Sequence, residues 1–239
     1  MYTRDVLRAE IAKIYANEDR EFIWAQAADD AAKGARALGQ SAEQVAAAAK
    51  AKKSTTLDGL VEYCWTAYDK ARAATGPQVI GRIKDLHQVI QTKVANILKG
   101  QTLLDQDTHG NILRMDKWCV VLNDCWVLGG IHRAATFHLM SGLTTWTNTW
   151  DSSIGGFVVT VREMIALQEF GYKQQVGISL GPGSQAFATF VCGNAAMAEA
   201  ADLESYQLAV ALKESRGVRG AVGVMNAMVR ETKVSTARA

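Results

Sequence analysis

Residues 114–141 read RMDKWCVVLNDCWVLGGIHRAATFHLMS, and the reading of this stretch decides the fold. It carries two of the four cysteines, two of the four histidines and two of the six tryptophans. WCVVL, from Trp118 to Leu122, is β-branched and aromatic, the composition that suits a pleated surface. Asn123-Asp124 reads as a two-residue turn. CWVLGGI, residues 125–131, continues as a second strand whose Gly129-Gly130 allows a bulge or bend. His132-Arg133 is a second corner and Ala134 to Met140 a third strand. Side chains alternate across a strand, so tight corners put Trp118, Val120, Leu122, Cys125, Val127, His138 and Met140 on one face. Cys119, Val121, Trp126, Leu128, Phe137 and Leu139 take the other. Both faces are apolar, which calls for helical cover on both sides.

The flanks supply that cover. Residues 3–38 read as helix, with Thr3 as cap, Leu7, Ile11 and Ile14 at helical spacing, and Gly39 as the stop. Ser41-Ala-Glu-Gln matches a capping box that opens an alanine-rich surface helix to Lys53. Further helices are expected over 57–74 and 79–98. After the sheet come a polar loop with Trp146 and Trp150, a helix over 157–172, strands near 176–183 and 187–192, and closing helices over 194–214 and 218–230. The expected fold class is therefore α+β: a small, mainly antiparallel sheet in mid-chain packed by N- and C-terminal helices. Residues 1–100 form a helical region and 101–239 an α+β region, within one compact domain overall.

Composition narrows the function classes. Apolar residues make up 49% of 239 and charged residues 21%, with a net charge of +2, so a large core is available and nucleic acid is not indicated. No run of about 18 apolar residues marks a membrane span. The opening Met-Tyr-Thr-Arg leads directly into a charged helix, so no signal peptide is expected, and the location is cytoplasmic or secreted without one. VGISLGPG, residues 176–183, lacks the lysine of a phosphate loop, and no cofactor is indicated.

Four candidate chemistries stand beside plainer readings. A cysteine nucleophile needs a nearby imidazole. Cys125 with His138 is the pair that the strand register brings onto one face, and Cys64 with His132 is the other choice. Buried cysteine is the plain alternative. Cys119, Cys125, His132 and His138 are spaced C-x5-C-x6-H-x5-H, which is no known zinc spacing, and the register splits the cysteines between faces; no metal is expected. Asp107, His109, Asp116 and Asp124 form a loose polar group that turn chemistry explains. Arg162-Glu163 reads as a solvated helix face. Trp146 and Trp150 are the candidate binding residues.

The words W-x4-N-D-x3-L-G-G-x-H (Trp118, Asn123, Asp124, Leu128, Gly129, Gly130, His132) and VREMIALQEFGY (Val161 to Tyr172) resemble uncharacterised bacterial proteins encoded near type VI secretion machinery. The resemblance covers about the second half of the chain. It implies an effector delivered without a signal peptide and a protein partner, a secretion or immunity component. It carries over no catalytic residue. The functional expectation is an effector-type protein acting as a cysteine-dependent hydrolase. The alternative is a non-catalytic binding, scaffold or immunity-type protein using its helical surface and the tryptophan loop.

Overall fold

The computed structural model describes residues 1–14, 32–53, 57–81, 117–139, 150–151, 156–178 and 187–216. In chain order its elements are α1 (Arg4–Ile14), α2 (Ala42–Lys53), α3 (Leu57–Ala73), β1 (Gln78–Ile80), α4 (Lys117–His132), β2 (Phe137–Leu139), β3 (Trp150–Asp151), β4 (Gly156–Phe157), α5 (Val159–Glu169), β5 (Tyr172–Ile178), β6 (Phe187–Cys192), α6 (Ala195–Glu199) and α7 (Leu203–Glu214). The fold is α+β.

The central stretch is a helix where two strands were expected. Residues 117–132 are α4, and every residue from Val120 to Ile131 is buried. The physical reason is its surroundings. α4 meets α3 on one side, α5 and α7 on another, and the β1–β2 strands on a third. A helix enclosed all round is apolar all round, and it then shows no periodicity to distinguish it from a buried strand. Gly129-Gly130 is not a bulge. A Cβ on Gly129 would lie 2.2 Å from the Tyr68 carbonyl oxygen of α3, and one on Gly130 would lie 2.0 Å from Gln78 Oε1 and 2.8 Å from the Phe137 ring. The pair lets α4 press its backbone against a helix on one side and a strand on the other.

The chain turns next to the expected second corner, but as the stop of a helix and not as a hairpin between strands. α4 ends with Ala135 N–H donating to Gly130 O at 2.9 Å and Ala134 N–H to Ile131 O at 2.8 Å, with Ala134 at φ 52°. These are the bonds of a Schellman stop. β2 follows, within the expected third strand. Arg133 reaches back to α3, donating from Nε to Ala71 O at 2.7 Å and from Nη2 to Gly76 O at 2.6 Å. A cation thus meets the carbonyl end of that helix. Two like units result, α3–β1 and α4–β2, with their strands paired in parallel: Gln78 opposite Phe137, Val79 opposite His138, Ile80 opposite Leu139.

The main sheet runs β1-β2-β6-β5 and is mixed: β1/β2 is parallel, β2/β6 and β5/β6 antiparallel. β1 falls where the 79–98 helix was expected; residues 82–98 lie outside the described ones. β6 lies at 187–192 as expected, and β5 starts earlier than expected, at Tyr172. The single helix expected over 194–214 is two. Asp202 breaks it by capping α7, its carboxylate accepting Ser205 N–H at 2.6 Å. The local stop and start signals hold elsewhere. Val6 N–H donates to Thr3 Oγ1, Ser41 and Gln44 bond reciprocally at 2.9 and 3.3 Å, and Gly39 sits at φ 68°. One buried apolar cluster runs from Leu7 and Ile11 of α1 to Tyr206 and Val210 of α7.

Candidate functional site

The helix relocates Cys125 and His132, while Cys64 keeps its expected helix and His138 its expected strand. Cys125 is on α4, fully buried, facing α3, where the Cys64 thiol lies beside it. Burial first, and then Cys64, pushes the Cys125 thiol well above its ordinary pKa. It is held as the neutral thiol, the opposite of a nucleophile's requirement. His138 is on β2. Its strand neighbour Phe137 faces α4, so the alternation of the strand turns His138 to the other side of the sheet. There its Nδ1 meets Thr189 Oγ1 of β6 at 3.2 Å. The shared face proposed for Cys125 and His138 does not exist, because the register behind it belonged to a strand that is a helix.

Cys64 and His132 come closer to the expectation. Both lie at the α3–α4 packing, but His132 engages Tyr68, one helical turn beyond Cys64. His132 Nε2 is 2.7 Å from Ala201 O, a carbonyl that can only accept, so the proton is on Nε2. Nδ1 is then an acceptor, and Tyr68 O–H donates to it at 2.7 Å. Arg72 Nη1 donates in turn to the Tyr68 oxygen at 3.4 Å. Burial holds the His132 pKa below its ordinary value, so the ring is neutral. Both ring nitrogens are committed.

Trp146, Asp107, His109 and Asp116 lie outside the described residues. Trp150 is in β3, in register with Phe157 of β4. Among the described residues no group of three or more His, Cys, Asp or Glu could hold a metal ion, and no helix is long and apolar enough to cross a membrane.

The polar centre of the molecule lies elsewhere, in residues the sequence suggested for turns and for solvent. Arg162-Glu163 is not a solvated face: the two are 6% and 3% exposed, inside a run from Val161 to Leu167 that is buried throughout. Across from them on α4 are Asn123-Asp124, also buried, and on α7 Tyr206 and Gln207. Arg162 Nη2 donates to Asp124 Oδ2 at 2.6 Å and to Gln207 Oε1 at 3.2 Å, and Gln207 Nε2 donates to the same Asp124 oxygen. Arg162 Nη1 lies 3.6 Å from Glu214 Oε1, which also accepts Phe157 N–H at 2.8 Å. Burial pushes the Asp124 carboxyl up and Arg162 opposes it; for Arg162, burial works against the charge and Asp124 more than offsets it.

Glu163 differs from the rest. Its Oε2 accepts Gly81 N–H at 3.0 Å, at the end of β1 where the backbone turns through φ 80°. Burial raises its pKa from 4.5 to about 8. Burial thus favours the neutral, protonated form of this carboxyl. The seam joins α4, α5, α7 and β4 through charge-assisted bonds in a low-dielectric interior. One sequence signal pointed to it. Asn123-Asp124 and Arg162-Glu163 are polar pairs set inside otherwise apolar runs, and an isolated polar pair in a buried helix has to find partners. No protein-family model, no curated protein and no solved structure matches this chain.

Proposed function

We propose that the chain is a non-catalytic binding protein of a bacterial secretion system, engaging a protein partner such as a secretion or immunity component through its helical surface. The observation that carries this reading is α7. It buries Leu203, Tyr206, Ala209 and Val210 against the core, yet presents Leu208 and Leu212 outward, 66% and 60% exposed. The two are one helical turn apart, so they form one ridge. Covering a leucine is worth about 1.5–3 kcal/mol. The resemblance of two sequence words to proteins near type VI secretion machinery supports the choice of system. Those words also contribute the two halves of the buried seam, Asn123-Asp124 and Arg162-Glu163. The cysteine-hydrolase reading has less support, because both its thiols are buried, burial holds the Cys125 thiol well above its ordinary pKa, and its imidazoles are bonded elsewhere.

A photo-crosslinking residue placed at position 208, in a bacterium expressing the chain together with its secretion machinery, tests the reading. The expected result is a discrete protein adduct that L212E abolishes while circular dichroism and Tm stay unchanged. Absence of an adduct, or one indifferent to L212E, removes the reading. Rapid alkylation of Cys125 or Cys64 in the native protein at pH 6 would return the hydrolase to first place.

A further inference from the structure

Tyr2 stands ahead of α1 and folds back along it. Its ring lies 5.2 Å from Tyr68 and 5.1 Å from His132, tilted at 48° and 56°, and its hydroxyl donates to Glu10 Oε2. Four elements build this cradle: Glu10 on α1, Tyr68 on α3, His132 on α4, and the α6–α7 turn whose Ala201 carbonyl fixes the imidazole. The walls do not depend on their occupant. Tyr68 and His132 are held to each other and by Arg72 and the Ala201 carbonyl, none of which involves Tyr2, and the Trp65 ring packs on Tyr68 at 5.0 Å. The floor is sensitive to it. Glu10 is only 7% exposed and accepts the Tyr2 hydroxyl beside a bond from the Leu203 backbone N–H, so loss of the hydroxyl takes one of two donors from a buried carboxyl. The site is thus an aromatic slot that favours a hydroxyl at the far end of a flat ring. Tyr2, by contrast, belongs to no helix or strand and is only half-buried.

We propose that this cradle is a recognition site for a para-hydroxyphenyl group, filled in cis by Tyr2 and in trans by a tyrosine side chain of a partner peptide or protein. The site is distinct from the α7 ridge and stands or falls without it. Aromatic walls supply ring contact that any flat ring satisfies, and the carboxyl at the floor supplies the selection for O–H. A phenylalanine side chain would fit the walls and leave Glu10 with the Leu203 backbone N–H alone.

The test uses the full chain carrying Tyr2→Ala, with p-cresol and toluene as probes in calorimetric titrations. The expected result is saturable binding of p-cresol, at least about tenfold tighter than toluene, and loss of that preference in the Y2A/E10M double variant. In the unaltered chain, N-acetyl-tyrosinamide at high concentration should shift the His132 ring resonances, and N-acetyl-phenylalaninamide should not. The proposal is overturned if folded Y2A takes up neither probe or both equally. It is equally overturned if the His132 signals of the unaltered chain ignore N-acetyl-tyrosinamide. Should Y2A fail to fold alone, recovery of its circular dichroism with p-cresol and not with toluene supports the site, and failure of p-cresol to restore it overturns the site.

Discussion

Glu163 is an acid whose folded pKa stands above its unfolded value. Between about 4.5 and 8 the folded chain therefore binds more protons at this position than the unfolded one, so this group's contribution to stability falls as pH rises through that window. Glu163→Gln keeps an oxygen that can accept Gly81 N–H and has no proton to lose. The stability difference between E163Q and the unaltered chain, from urea titrations at pH 4.5 and 8.5, should drift in favour of E163Q by on the order of a few kcal/mol. A pH-independent difference would mean that Glu163 is ionised in the fold. At this scale the sequence was legible in part. Thr3, Gly39, Ser41 and Gln44 act through their own few neighbours and could be read locally. Arg162-Glu163 could not, because their burial depends on Asp124 and Gly81, 38 and 82 positions away.

Among elements, α4 has the most stringent requirements. Gly129→Ala should destabilise the chain by at least about 2–3 kcal/mol, since its Cβ would strike a backbone carbonyl that cannot move without moving α3. Gly34→Ala is the control: it lies in a helical turn with nothing within 4 Å of the new carbon and should stabilise by about 0.5–1 kcal/mol. Thermal melts of the two variants separate close packing from helix propensity. The seam makes a second prediction. Arg162→Met should cost about 3–5 kcal/mol by stranding Asp124, while the double variant D124L/R162M should recover most of that loss; a double-mutant cycle with additive losses would show that the pair is not coupled. The misreading of α4 belongs to this scale too. Val120, Val121, Val127 and Ile131 favour strands when only the residues themselves are considered, and enclosure by other elements overrides that preference. The fold class survived the error because β2 and β6 were legible and the cover was helical either way.

For the whole molecule, the thiols report how the core opens. Cys64 and Cys125 are 0% exposed in the buried cluster, whereas Cys192 is half-buried at the end of β6. In native buffer Cys192 should react with a thiol reagent within minutes, and Cys64 and Cys125 should react together at a rate that tracks global unfolding as urea is added. Labelling of either core thiol without urea dependence would reveal local opening of α3 from α4. The last consequence concerns the order of synthesis. Lys13 of α1 pairs with Glu204 of α7 at 2.7 Å, and Asp124 of α4 is held by Gln207. An emerging chain therefore offers this oily, all-round buried helix to the cytosol long before the segment that closes over it leaves the ribosome. A nascent chain halted before residue 200 should be retained by chaperones and cleaved readily, and emergence of the helix Leu203–Glu214 should convert it to a resistant form in a single step.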